Sequence, residues 1–204
     1  MKKKGLILNS NLYKDNSFIV DMINENELFA FEAKGISKSK SKNKSLLFFL
    51  NLVEAEFASR GEKNILINGN ILYDTSFLMS DFEGIFFLNV MKEILYKLIL
   101  KENIYKYYDK LLNLLYLCGK YKSSNIYLIA VIHFLIYVFD KEGIDYLSYL
   151  KENSLDTTTI NSFLDFKDLS IIILSRETLK NILKNLNLFI VSNLNTKLNS
   201  IELL

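Results

Sequence analysis

The hydrophobic period of this chain changes near residue 80, and that change limits the folds open to it. Before it come short runs with a period near two, rich in β-branched and aromatic residues. "GLILNS", "SFIVDMI", "LFAFEAKG", "LNLVEAEFA" and "NILINGNIL" read as strands. Turn signals separate them at Lys14-Asp15-Asn16-Ser17, Asn24-Glu25-Asn26 and Ser59-Arg60-Gly61-Glu62. Five short strands in about 75 residues predict a small closed or nearly closed barrel. In "LFAFEAKG", alternation puts Phe29, Phe31 and Ala33 on one face and Leu28, Ala30 and Glu32 on the other.

After residue 80 the period is 3.6. Ser80 or Asp81 can cap a helix that carries Phe87, Val90, Met91, Ile94, Leu95 and Leu98 on one stripe, and "SDFE" at 80–83 has the form of a capping box. A second helix is expected over about 104–118, presenting Tyr108, Leu111, Leu112 and Leu115 and ended by Gly119. A third, about 124–141, is apolar almost all round and suits the centre of a bundle. Shorter helices are expected near 143–151 and, capped by Asp156-Thr157-Thr158-Thr159, over 160–167; a long one spans about 175–194. The expected architecture is α+β, a barrel domain over 1–79 followed by a helical bundle over 80–204. No internal repeat is evident.

Composition narrows the function classes. Half of the 204 residues are apolar and 24% charged, the balance of a folded chain. The net charge is only +2, so a polyanion site has to come from local clustering. Residues 1–50 hold nine Lys against five acids, whereas 79–204 carry fourteen basic and fourteen acidic groups. The positive field is therefore N-terminal. A single cysteine, Cys118, excludes an intrachain disulfide and a multi-thiolate zinc site and fits a reducing compartment. "MKKKGLILNS" has too short an apolar run for a signal-peptide core. The run Ile126–Phe139 spans about 14 residues against the roughly 20 of a membrane span. These features predict a soluble, cytoplasmic protein with no membrane partner.

Catalytic chemistry is thinly represented. His133 is the only histidine and lies inside an apolar helix, where a buried, hydrogen-bonded structural role is expected. Cys118, at a helix end beside Leu117, reads as a small core residue. Glu54 and Glu56, two apart on a strand, read as a solvent-facing pair. No ligand spacing for a metal and no glycine-rich phosphate loop is present. A non-enzymatic protein without metal or cofactor is expected.

The distinctive polar stretch is "AKGISKSKSKNKS", residues 33–45. Lys34, Lys38, Lys40, Lys42 and Lys44 occur there without an acid among them. In an extended chain Lys38, Lys40, Lys42 and Lys44 fall on one side at a spacing of about 6.6 Å. Two nucleotides of a B-form strand rise about 6.8 Å. Ser37, Ser39 and Ser41 add hydroxyl donors. Point charges of this kind hold phosphates and carry little base specificity. A five-stranded, OB-like barrel bearing a basic loop is a common platform for single-stranded nucleic acid, pairing a positive groove with aromatic stacking. The aromatic candidates are Tyr13, Phe18, Phe29 and Phe31. At least two of them are expected to fill the barrel, and Tyr13, beside turn residues, is the expected stacking residue.

The run "KGLILNSNLYKDNSFIVDM" followed by "FEAKGISKSKSK" resembles the bacterial RecO recombination mediators. Their barrel opens with a KGIVL-type strand and a Tyr-x-Glu-type turn, then reaches an AKG-A-R-K-x-K-S segment. Ala33-Lys34-Gly35, Lys38, Lys40 and Ser41 match that segment, with Ile36 and Ser37 in place of its Ala and Arg. "SNLNTKLNSIELL" at 192–204 is similar to the family's closing HLG-x-K-L-K-S-x-x-F-L through Leu194, Lys197, Leu198, Ser200 and Leu203. The chain departs from many relatives in lacking a four-cysteine zinc module, as a compact, zinc-free member would. The resemblance implies a mediator of recombinational DNA repair. Such a protein binds single- and double-stranded DNA, anneals strands, contacts the single-strand-binding protein and, with RecR, helps load RecA. Carried over residue by residue, DNA contact falls on Lys34, Lys38 and Lys40; Lys42 and Lys44 follow from charge pattern alone. Two other readings stand beside it: a protein–protein scaffold whose helical half holds a partner's apolar tail, and a single-stranded RNA-binding barrel protein.

Overall fold

Five strands and five α-helices account for most of the residues described by the computed structural model, which are 1–14, 16–35, 44–152, 163 and 174–204. They form two compact units, one of Met1–Met79 with Glu102–Leu112 and the other of Ser80–Lys101 with Asn113–Leu204. Relative to the division drawn from the change of period, Glu102–Leu112 falls with the strands.

The strands are β1 (Lys2–Lys14), β2 (Ser17–Ile23), β3 (Leu28–Lys34), β4 (Leu52–Arg60) and β5 (Lys63–Tyr73). They close into a barrel in the order β1-β2-β3-β5-β4, so the fold is α+β with an OB-like barrel followed by helices. β1 serves two ladders. Lys2–Leu6 pair with Leu52–Glu56 of β4, and Leu6–Lys14 pair with Ser17–Ile23 of β2. At the crossover lies Gly5. A Cβ there would run into the carbonyl oxygen of Ile23 and come within 2.8 Å of the Met22 Cγ, so no side chain fits.

The alternation of "LFAFEAKG" resolves as expected. Phe29, Phe31 and Ala33 face the barrel core with Ile7, Val20, Met22 and Phe57. The rings of Phe29 and Phe31 each lie 4.9 Å from that of Phe57, the first edge-on and the second tilted. A short 3-10 helix, Ser45–Leu47, inserts Leu46 and Leu47 into the same core. The buried Asn51 ties this segment down. Its Nδ2 donates to the Ser45 carbonyl at 2.8 Å, and its Oδ1 accepts from the Thr75 backbone N–H at 2.8 Å. These bonds satisfy a polar side chain that would otherwise be costly inside.

In the second unit, α1 (Phe82–Lys97), α2 (Tyr108–Tyr121, whose first turn belongs to the first unit), α3 (Ser124–Lys141), α4 (Tyr146–Glu152) and α5 (Arg176–Leu194) supply the helices. α3 is buried on nearly every side, as its all-round apolar sequence requires. By length and composition it is long and apolar enough to cross a membrane, yet 72% of it is buried inside the protein.

One of the two caps expected for α1 is used, whereas the capping box expected there and the expected end of α2 are corrected. The cap of α1 is Asp81, whose carboxylate accepts from the Gly84 N–H at 2.7 Å. The "SDFE" capping box does not form, because the cap is one residue later and Glu83 is drawn into an ion pair with Arg176. Gly119 does not end α2, which continues to Tyr121 and stops where Lys122 takes a left-handed φ of 45°. The helix expected at 160–167 lies outside the described residues, Phe163 excepted.

The final segment is held on α1 by one carboxylate. Glu93 accepts from the backbone N–H groups of Asn199 (2.7 Å) and Ser200 (2.9 Å), from the Ser200 hydroxyl, and from Lys97 Nζ at 2.6 Å. Asn187 of α5 adds a two-point grip on the Leu198 backbone, at 2.9 and 3.3 Å. Leu198 and Ile201 are thereby fixed in the core. Burial raises the Glu93 pKa, but the bonds from Lys97, Ser200 and Asn199 outweigh it and leave the carboxyl below its ordinary 4.5.

Two outcomes follow for stability. Gly5→Ala should destabilise the fold by about 1–3 kcal/mol, the range of an overpacked core site, measured by denaturant unfolding. Glu93→Gln should cost about 1–3 kcal/mol at neutral pH. A depressed folded pKa means that this contribution is present above pH 4.5 and fades as pH falls through the folded value. The gap between wild type and Glu93→Gln should therefore shrink in acid; a pH-independent gap would show that the charge does not contribute.

Candidate nucleic-acid interface

The residues around the two barrel hairpins form the described surface best suited to hold a polyanion. The β1–β2 ladder reaches its tip at Leu12↔Phe18 and Lys14↔Ser17, with Tyr13 between these pairs and without a partner of its own. Tyr13 is thus the extra residue of a β-bulge, a device that re-aims a side chain. Tyr13 is 46% exposed. Lys14 Nζ lies 5.2 Å from the ring centroid.

The β4–β5 hairpin closes with Arg60↔Lys63 around Gly61-Glu62. Gly61 has φ +60°, and Glu62 is not among the residues of positive φ. This is the pattern of a II′ turn, which matches the twist of the strands and favours Gly at its first central position. Arg60 and Lys63 are exposed at this tip, and Lys63 Nζ reaches to 5.7 Å from the Tyr13 ring centroid. The two hairpins therefore present Tyr13, Lys14 and Lys63 as one cluster, with Arg60 beside Lys63 in the ladder.

Lys34 ends β3 and pairs in the ladder with Ser17, next to the β1–β2 tip. The Gly35 N–H donates to the Asn16 carbonyl at 2.6 Å and pins the strand exit there. Lys34 is exposed, with its Nζ 3.8 Å from a Glu32 carboxylate oxygen, so part of its charge is compensated locally. Lys44 is exposed at the N-cap of the Ser45–Leu47 helix and makes no side-chain cap. Lys38, Lys40 and Lys42 lie outside the described residues.

Of the four aromatic candidates, Phe29 and Phe31 are in the barrel core, Phe18 packs partly buried against it, and Tyr13 is exposed. The outer face of β2 and β3 carries Ile19, Asp21, Ala30 and the buried Glu32, with no aromatic group among them. The cationic, aromatic character gathers at the hairpin tips. Sequence reasoning missed Lys14, Arg60 and Lys63. Lys14 and Arg60 stood in recognised turns and Lys63 directly after one, and only the barrel's strand order brings the turns together.

Other groups are used structurally. A pocket of about 460 Å³ in the first unit is lined by Lys2–Lys4, Asn24–Glu27, Tyr108 and Leu112, but Lys3 is paired with Glu27 and Lys2 with Glu54 at 2.7 Å. Glu56 is exposed and Glu54 half-buried on the outer side of β4. His133 is buried, with Nδ1 2.6 Å from the Phe163 carbonyl oxygen, which requires the proton on Nδ1. Cys118 is fully buried, and desolvation pushes its thiol well above the ordinary range. Among the described residues no group of three or more His, Cys, Asp or Glu side chains could hold a metal ion.

Comparison with known proteins adds no assignment: no protein-family model matches the chain, and no curated protein matches it in sequence.

The burial of Cys118 has a direct readout. A maleimide should leave the native protein unlabelled and react only after denaturant unfolding; rapid native labelling would contradict the packing of α2.

Proposed function

We propose that this protein is a non-enzymatic DNA-binding mediator of recombinational repair, of the RecO kind. The carrying observation is the OB-like barrel whose two hairpins bring Tyr13, Lys14 and Lys63 into one cluster. OB barrels bind oligonucleotides through the loops that correspond to these two hairpins. The likeness of "AKGISKSKSK" and of the closing "SNLNTKLNSIELL" to that family supports the narrower assignment. On this reading Lys34, Lys38, Lys40, Lys42 and Lys44 extend the basic surface from the end of β3 along a DNA backbone. The protein anneals strands and, in the cytoplasm, works with RecR and the single-strand-binding protein to help load RecA. The near-neutral helical unit serves partners rather than DNA.

Fluorescence anisotropy of a labelled 30-nucleotide single strand, titrated at several salt concentrations, tests the reading. Five phosphate contacts give a log–log slope of about −3.5, or about 100-fold weaker binding from 50 to 200 mM salt. The Lys38→Ala/Lys40→Ala/Lys42→Ala protein should lose about 2 from that slope with its melting temperature nearly unchanged. An unaltered slope would remove the loop from the site. Tighter binding of RNA than of the same DNA sequence would favour the RNA-binding barrel instead.

A further inference from the structure

We infer that Tyr13 and Lys63 form a subsite for one unpaired nucleobase and its adjoining phosphate, so that this surface discriminates single strands from duplex. The inference rests on the nucleic-acid reading above and specifies what the site selects.

Three features of Tyr13 converge. It is the unpartnered residue of a bulge, so its backbone departs from the ladder at this point. It is 46% exposed, at the end of β1 where Asn11, Leu12 and Lys14 are exposed as well. Its ring contacts two ammonium groups, at 5.2 and 5.7 Å, one from its own hairpin and one from the β4–β5 hairpin. Both distances are within the roughly 6 Å of a cation–π contact.

An exposed ring held between two lysines is a surface in waiting. A base can take over the π face that an ammonium covers, while the displaced ammonium moves to the phosphate of the same nucleotide. Lys63 is well placed for this exchange because its hairpin is fixed by the tight turn at Gly61. In duplex DNA the base faces are already stacked, and reaching Tyr13 requires unstacking or flipping. Lys63 and Lys14 still meet phosphates in that case, so duplex binding survives without the aromatic term. Selectivity for unpaired bases is thereby assigned to Tyr13, and the salt-dependent attraction to its cationic neighbours.

The test uses the full chain and three probes: a labelled 15-nucleotide oligothymidylate, the same oligomer with abasic sites throughout, and a hairpin duplex. Wild type should bind the abasic strand about 10-fold or more weakly than the intact one, the loss expected for one stacked base. Tyr13→Ala should bind intact and abasic strands alike, Tyr13→Phe should keep the wild-type preference, and none of these changes should alter duplex affinity. Lys63→Ala should flatten the salt slope by about 0.7 on intact and abasic strands alike. Circular dichroism and melting of each variant confirm folding. If Tyr13→Ala binds the intact strand as tightly as wild type, or still distinguishes it from the abasic strand, the subsite is overturned while the DNA-binding reading stands. Absence of binding to every probe at low salt overturns both.

Discussion

The architecture depends on one strand holding two sets of hydrogen bonds. β1 gives its first residues to β4 and the remainder to β2, the two ladders meeting at Leu6, and so links both neighbours in the closed barrel. The backbones approach closely beside that point, and Gly5 sits against the Ile23 carbonyl with no room for a side chain. Once β1 is so placed, its far end carries Tyr13 and Lys14 to the β1–β2 tip. The core of Phe29, Phe31 and Phe57 fills the interior, and the β4–β5 hairpin comes round to meet that tip. Closure also removes most of the exposed strand edges that an open five-stranded sheet would present.

The candidate interface is therefore a product of topology more than of charge. The chain as a whole is nearly neutral, and no aromatic group stands among Ile19, Asp21, Ala30 and Glu32 on the outer side of β2 and β3. What distinguishes the hairpin tips is that cations and an exposed ring are held side by side by separate segments. Glu62 in one hairpin and Glu32 beside Lys34 temper the field. Such tempering limits indiscriminate attraction and leaves room for contacts that depend on geometry. The second unit follows a different economy of forces, with buried helices and a terminal segment gripped by Glu93 and Asn187.

Much of the fold was legible where local physics decides. Period-two runs became strands because alternation alone places Phe29, Phe31 and Ala33 inward. The all-round apolar sequence of 124–141 became the buried α3 for an equally local reason. The failures share a cause: a distant partner or a neighbouring residue outbid the local signal. Glu83 had the right spacing for a capping box, but Arg176 from another helix took its carboxylate. Gly119 was a plausible helix stop, yet its helical backbone is compatible with α2 and Lys122 accepts the left-handed turn. At the interface, the exposed position of Tyr13 could be read from its turn context. The company of Lys63 could not, because roughly fifty residues separate the two and only the strand order β1-β2-β3-β5-β4 joins them.

The double duty of β1 also sets a schedule. Lys2 finds its ladder partner at Glu56 and Leu6 at Leu52, so the barrel cannot shut until β4 has been made. From the end of β3 at Lys34 to the end of β4 at Arg60, translation at about 5–20 residues per second takes roughly 1–5 s. A β1–β2–β3 meander, with local pairings already available, waits through it with the β4-facing edge of β1 unpaired and Leu6, Ile7 and Leu8 uncovered. For this protein the hazard of self-association belongs to synthesis, and the finished barrel has no memory of it.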